Sequence, residues 1–336
     1  MKNTKKSKIT GFLESADRKI ILKGKDILDA IDYAEVAHVL FAADKLGLFK
    51  KLKEKKTFEE LHKELKVEKA AFKIFLNGLI AMNIIKKIGE YYENGEAIKE
   101  LIETNYIWTI KFNSYFRDPL INLYNVVKKG QKEAKEIKED KEGYMAYAQT
   151  MSSWDEITPK ILQYVDLKNA KYMLDLGGGI GHFSIAFIEK YPNLKSKIID
   201  TGEIVELGRK DIERYKDKIL LEEKDFLKDE IGSNYDFVWA SDILHYLNYE
   251  EIQHLMSKIY LSLNPNGSVA IHNFILDNDT NPPAAAVFAL TIPLLITKKG
   301  FVPKKKDLVY ILKSAGFKDI EAKNITPGTK LIIGKK

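Results

Sequence analysis

From Ile27 to Leu52 the apolar residues recur at helical spacing: Ile27, Ile31, Ala34, Ala37, Leu40, Leu46 and Phe49. Val39, Ala42 and Ala43 widen the stripe onto further faces. A helix apolar on several faces must bury more than one of them, and a partner subunit is a natural cover. Next, Thr57-Phe58-Glu59-Glu60 reads as a capping box, which predicts a short helix through Leu65. A second helix is expected from about Glu68 to Met82, with Phe72, Phe75, Leu76 and Leu79 inward. Ile84-Ile85 and Tyr91-Tyr92 flank Gly89 and predict a small hairpin. Helix, helix, hairpin is the order of a winged helix. Residues 100–145 read as helical, and the densely charged Lys128 to Lys141 as an exposed helix or connector. After Lys160 the rhythm becomes strand and helix in alternation, the mark of a parallel α/β sheet. The expected organisation is a flexible N-terminus over 1–20, a mainly α winged-helix domain over 21–150 and an α/β domain over 151–336.

Composition narrows the function classes. The chain has 336 residues, 45% apolar and 30% charged, enough for two domains with full cores. The net charge of +6 is small and spread along the chain, apart from Lys2, Lys5, Lys6 and Lys8 at the start. A dedicated nucleic-acid binder would concentrate its basic residues. The would-be recognition helix carries only Lys69 and Lys73 among apolar residues, so a dimerisation or lid role suits the N-terminal domain better than DNA binding. There is no cysteine, which excludes disulfides, thiolate metal sites and thiol nucleophiles and fits a cytoplasmic location. No apolar run follows the first lysines, so no signal peptide is expected. The longest apolar run, Pro282 to Ile296, contains three prolines and falls short of the ~20 residues of a membrane span. It reads as a buried helix or lid, and no membrane partner is expected.

The chemistry concentrates in Lys171 to Gly181, where the apolar strand Tyr172-Met173-Leu174-Asp175-Leu176 runs into Gly177-Gly178-Gly179-Ile180-Gly181. Glycines allow a sharp turn and close approach of a ligand. The dinucleotide fingerprint fails: read from Gly179 its third position is Ser184, and read from Gly177 it is His182. A P-loop ending is also missing. What stands is Asp-x-Gly-x-Gly-x-Gly, with Asp175 at the strand end. A carboxylate there repels phosphates and welcomes a cationic amino group; S-adenosylmethionine has that group and no phosphate. Asp200 ends the next strand, Lys197-Ile198-Ile199, and suits a ribose diol. Asp225 can accept from an adenine amino group, with Phe226 packing on the ring. Acids at three successive strand ends lie on one edge of the sheet, the edge where open α/β sheets bind ligands.

These residues resemble the class I S-adenosylmethionine-dependent methyltransferases, and more closely the O-methyltransferases of the caffeate and hydroxyneurosporene type. The similarity runs from about Ile27 to Ile333. Phe317 to Asn324 and Lys330 to Ile333, around Thr326-Pro327-Gly328, match the antiparallel strand pair that ends the family's sheet. The resemblance implies a Rossmann-like methyltransferase domain, a winged-helix homodimerisation domain, S-adenosylmethionine as cofactor, no metal and a small-molecule acceptor. It assigns Asp175, Gly177, Gly179 and Gly181 to the loop around the methionine part, Asp200 to the ribose, and Asp225 with Phe226 to the adenine. Tyr147 and Met151 fall where the family packs residues near the sulfonium and acceptor. His245, in Ile243-Leu244-His245, matches the general base, and Ser241 stands where relatives carry a cofactor-touching lysine. The family's Asp and Trp after the histidine are Tyr246 and Leu247 here. The stretch Lys299-Gly300-Phe301-Val302-Pro303 lacks the acid that orients the histidine in relatives.

The implied chemistry is in-line methyl transfer, with His245, of ordinary pKa about 6.5, taking the acceptor proton. Phe288, Leu290 and Leu294 of the expected lid suggest an apolar acceptor, aromatic or isoprenoid. Four alternatives stay open on sequence: a carbon or nitrogen acceptor; a winged-helix DNA-binding regulator with a metabolite-sensing domain; a nicotinamide oxidoreductase; and a relative that keeps the cofactor but has lost transfer.

Overall fold

The structure is a computed structural model that describes residues 24–104, 107–117, 122–134 and 157–336. Tyr147 and Met151, and the expected flexible segment over 1–20, lie outside the described residues. The chain divides into two compact units between residues 118 and 119.

The first unit opens with α1 (Gly24–Lys45) and α2 (Leu48–Lys51). The single helix expected through Leu52 is thus two. Gly47, at φ 72, turns the chain in the left-handed region between them. The apolar rhythm continues across the break because Leu48 and Phe49 still face the same core. β1 (Lys56–Thr57) leads into α3 (Phe58–Leu65), and both halves of the Thr57–Glu60 capping box form. α4 (Lys69–Ala81) starts on Glu68, whose carboxylate accepts from the Ala70 and Ala71 amides. β2 (Ile85–Ile88) and β3 (Tyr91–Asn94) pair as the expected hairpin, and β1 joins β3 to make three antiparallel strands. α5 (Glu96–Glu103) and α6 (Ile107–Arg117) complete the unit. Its core holds Leu48, Leu61, Phe72, Leu76 and Leu79, while Leu28, Tyr33 and Ile74 stay exposed.

The second unit begins earlier than the boundary expected near 150. α7 (Leu123–Lys129) belongs to it because Gln131, just beyond, docks on later residues. The Gln131 amide donates to the Pro293 and Gly300 carbonyls at 2.5 and 2.9 Å and to the Thr297 hydroxyl at 3.2 Å. From α8 (Thr158–Leu162) the order is β4 (Tyr172–Leu176), α9 (His182–Lys190), β5 (Lys195–Asp200), α10 (Gly202–Asp211), β6 (Ile219–Glu223) and β7 (Tyr235–Ser241). Then come α11 (Tyr249–Ser262), β8 (Leu263–Phe274), α12 (Pro283–Ile296), α13 (Lys305–Ala315), β9 (Lys318–Asn324) and β10 (Thr329–Lys335).

These strands form one seven-stranded sheet in the order β6-β5-β4-β7-β8-β10-β9. β6 to β8 run parallel, and β10 lies antiparallel between β8 and β9, which is the expected C-terminal strand pair. The chain winds outward from β4 one way to β6, then returns to place β7 on β4's other side. That reversal opens a crevice at the C-terminal ends of β4 and β7.

Alternation along the central strands feeds two cores. Leu174, Val238, Val269 and Ile332 face α11 and α13; Met173, Phe237, Ala270 and Leu331 face α8 and α9. α11 starts on an Asn248–Glu251 capping box and buries Ile252, Leu255, Met256 and Ile259 completely. Each such side chain contributes about 1.5–3 kcal/mol of burial. No helix among the described residues is long and apolar enough to cross a membrane, α12 included.

Candidate active site

The crevice at the β4/β7 edge deepens into a cavity of about 1100 Å³. The glycine loop, the ends of β5 to β7, the first turn of α11 and Ile296 to Lys299 line it. A cavity this size accommodates a nucleoside with room for a second small molecule.

β4 carries an almost unbroken buried run, as a central parallel strand should. Where it ends, the Gly177 amide donates to the Ile199 carbonyl at 2.8 Å, and Gly177, Gly179 and Gly181 all take positive φ. Gly177 is required twice over. Its φ of 64° disfavours any side chain, and a Cβ there would meet Ile243 Cγ2 at 2.4 Å. The loop and the end of β7 are thereby pressed together.

Asp175 stands beneath this loop rather than in front of it. It is 1% exposed, accepts from the Ser184 hydroxyl at 2.6 Å, and lies so close under Gly178 that a Cβ would sit 2.5 Å from its carboxyl carbon. Burial pushes its carboxyl up to about 7, Asp200 adds to the rise, and the Ser184 hydrogen bond opposes it. At neutral pH much of its charge is gone.

Asp200 fastens the loop to β5. Its Oδ2 accepts from the Gly179 amide at 2.8 Å and its Oδ1 from the Thr201 amide at 2.7 Å, while the residue still lines the cavity. Asp225 follows β6 and accepts from the Leu227 amide at 3.0 Å. Burial raises its carboxyl, but the Lys228 ammonium at 2.9 Å and the Leu227 amide outweigh this and hold it low. Phe226 lines the cavity beside it, near Gly177. The structure thus brings Asp175, Gly177, Gly179, Asp200, Asp225, Phe226 and Ser241 to one cavity. Gly181 is the N-cap of α9, where a Cβ would meet Ile212 and Ile198, and it is not among the residues lining the cavity.

His245 occupies a single 3-10 turn, Leu244–Tyr246, after β7. It is 1% exposed, with the Asn273 side chain beside its ring. Burial lowers its pKa to about 4, and the nearby Asp242 charge and the Asn273 side chain only partly offset this. Its ring lies 4.3 Å from the Tyr246 ring and 5.1 Å edge-on from Phe288, which itself stacks on Phe274 at 3.8 Å. His245 and Phe288 are therefore together, set behind Tyr246, which does line the cavity. The stretch without the orienting acid closes over the backbone here: a Cβ on Gly300 would be 2.0 Å from the His245 carbonyl oxygen.

Sequence reading missed several cavity residues. Glu223 reaches the space left by Gly202, where a Cβ would meet its Oε1 at 2.5 Å. Asp242 lines the cavity at φ 56, with its Oδ2 accepting from Ser241 at 3.1 Å and lying 3.5 Å from His272 Nδ1. The strand-end rule that found Asp200 could have found both acids; nothing local marks His272, on another strand. Among the described residues no group of side chains could hold a metal ion.

Comparison with known proteins fits this geometry. Acetylserotonin O-methyltransferase of Macaca mulatta is 27% identical over 171 residues, 51% of this chain and 49% of that protein. The match thus spans about half the length of that relative. L-tyrosine C(3)-methyltransferase of Streptomyces lavendulae is 26% identical over 308 residues, 84% of each chain. The structure of human N-acetylserotonin methyltransferase in complex with S-adenosylmethionine superposes with a TM-score of 0.72 at 21% identity, over 95% of this chain and 99% of that one. Residues 122–318, more than half of the sequence, match the O-methyltransferase domain family. The chain therefore belongs to the S-adenosylmethionine-dependent O-methyltransferase family.

Proposed function

We propose that this protein transfers a methyl group from S-adenosylmethionine to a small apolar or aromatic acceptor, at a hydroxyl. The observation that carries the reading is the cavity at the β4/β7 edge that joins the glycine loop to acids on successive strand ends.

The residues fit the cofactor. Asp200 would take the ribose diol, Asp225 with Phe226 the adenine, and the Gly177–Gly181 loop with Ser241 the methionine part, Asp175 supporting that loop from beneath. When bound, the cofactor supplies an electrophilic methyl group on a sulfonium. The acidic strand ends favour that positive charge over a neutral product. The protein's further tasks are to hold the acceptor at near-attack distance and to exclude water. Phe288, with Tyr147 and Met151, would pack the acceptor. His245 would remove its proton; held neutral by burial, it is free to accept one, though as a weak base. The N-terminal unit would be a winged-helix module that forms a homodimer, consistent with the apolar residues it leaves exposed. The expected setting is the cytoplasm.

Methylation at carbon is the second reading. The match to a tyrosine C(3)-methyltransferase over 84% of both chains supports it, as does the low basicity of His245. A radiolabelled methyl-transfer screen over phenols, apolar alcohols and substituted tyrosines tests both. The proposal expects product with phenols and a loss of at least tenfold in kcat for His245→Ala. Turnover confined to polar, non-aromatic acceptors would refute it; product methylated on a ring carbon would select the second reading.

A further inference from the structure

Asp242 stands out among the carboxylates of the cavity. Asp175 is engaged by Ser184 and covered by Gly178. Asp200 accepts from two backbone amides, and Asp225 from an amide and Lys228. Glu251 caps its own helix and pairs with Lys299. Among the described carboxylates that line the cavity, only Asp242 keeps a buried oxygen, Oδ1, that accepts no hydrogen bond. Leaving such an acceptor unmade is costly, more so for a charged group.

The surroundings fix this carboxylate firmly. Its amide donates to the His272 carbonyl at 2.8 Å, and Ser241 Oγ donates to its Oδ2. Ser241 Oγ also lies 3.0 Å from His272 Nδ1, and His272 is fully buried with its ring stacked on Trp239. The next residue, Ile243, is the one pressed against Gly177. Asp242 therefore sits beside the glycine loop, on the neighbouring strand end, with one oxygen held and the other buried without a hydrogen bond.

We propose that Asp242, rather than Asp175, is the carboxylate that binds the α-ammonium group of the cofactor's methionine half. This rests on the S-adenosylmethionine reading of the cavity. A protonated amine is a donor that a carboxylate held in place by its neighbours takes through a charge-assisted hydrogen bond. Asp175 is poorly suited to that role because its own burial suppresses its charge.

The test is calorimetric titration of the full-length protein with S-adenosylhomocysteine, which carries the ammonium. The companion ligand is 5′-methylthioadenosine, which lacks the whole amino-acid half and is measured by competition. Asp242→Asn keeps the left-handed turn, which asparagine tolerates, and removes the charge. The expected result is at least a tenfold weaker Kd for S-adenosylhomocysteine, an unchanged Kd for 5′-methylthioadenosine, and a melting temperature close to wild type. Asp200→Asn should weaken both compounds. An Asp242→Asn protein that binds S-adenosylhomocysteine within twofold of wild type, or that loses both ligands equally, overturns the proposal. If the wild type binds neither compound, the cofactor reading itself fails, a result distinct from either.

Discussion

Replacing Asp175 by asparagine should stabilise the protein at pH 7 and above while leaving it little changed near pH 4. The carboxyl is fully buried beneath the glycine loop, and its pKa stands at about 7 against an ordinary 3.8. Because the folded pKa is raised, the folded state holds this proton more tightly than the unfolded chain. Its stabilising contribution is present below about 3.8 and is lost as pH rises through 7. A shift of about 3 units corresponds to roughly 4 kcal/mol, at 1.36 kcal/mol per unit. Asparagine is isosteric, keeps an acceptor for Ser184 and never ionises. Urea unfolding at half-unit steps from pH 4 to 8 would follow the difference between variant and wild type. That difference should grow by a few kcal/mol across the window in favour of Asp175→Asn. A flat difference, or one that turns against the variant as pH rises, would show that the carboxylate is ionised and held by partners, and the account of the loop's underside would be wrong.

His245 gives the opposite slope. Its folded pKa of about 4 lies below the ordinary 6.5, so stability is full above 6.5 and is lost as pH falls toward 4, by about 3 kcal/mol. His245→Gln should abolish that part of the acid profile; an unchanged profile in the same urea titrations would mean the ring is not buried neutral. Gly177→Ala should cost about 2–4 kcal/mol, from the left-handed φ and the contact with Ile243 together. Adding Ile243→Val should recover only the steric part, so full recovery in thermal melts would remove the backbone argument. Leu255→Ala, on the buried face of α11, should cost about 2–5 kcal/mol without altering ligand affinity; a cost below 1 kcal/mol would contradict the packing.

Much of the second unit could be read in the sequence because its signals are local. The apolar strand before Gly177, the acids closing β4 and β5, and the turn at Thr326 to Gly328 each lie within a few residues of what they specify. The helix predicted through Leu52 failed for a physical reason: Gly47 turns the chain, yet Leu48 and Phe49 return to the same core and keep the periodicity intact. The earlier unit boundary was hidden because one glutamine, Gln131, supplies the docking bonds to residues far along the chain. The partnership of Asp242 with His272 joins two strands and depends on register alone. Nor does sequence distinguish a histidine that faces a cavity from one set behind Tyr246; only the packing of Phe288 and Gly300 around His245 decides that.

The central claim is that the cavity at the β4/β7 edge binds S-adenosylmethionine through its strand-end acids. Titration of wild type and Asp200→Ala with S-adenosylhomocysteine tests it most directly. The account predicts saturable one-to-one binding to the wild type and at least a tenfold loss in the variant. Absence of binding to the wild type, or equal affinity of the two proteins, would contradict it.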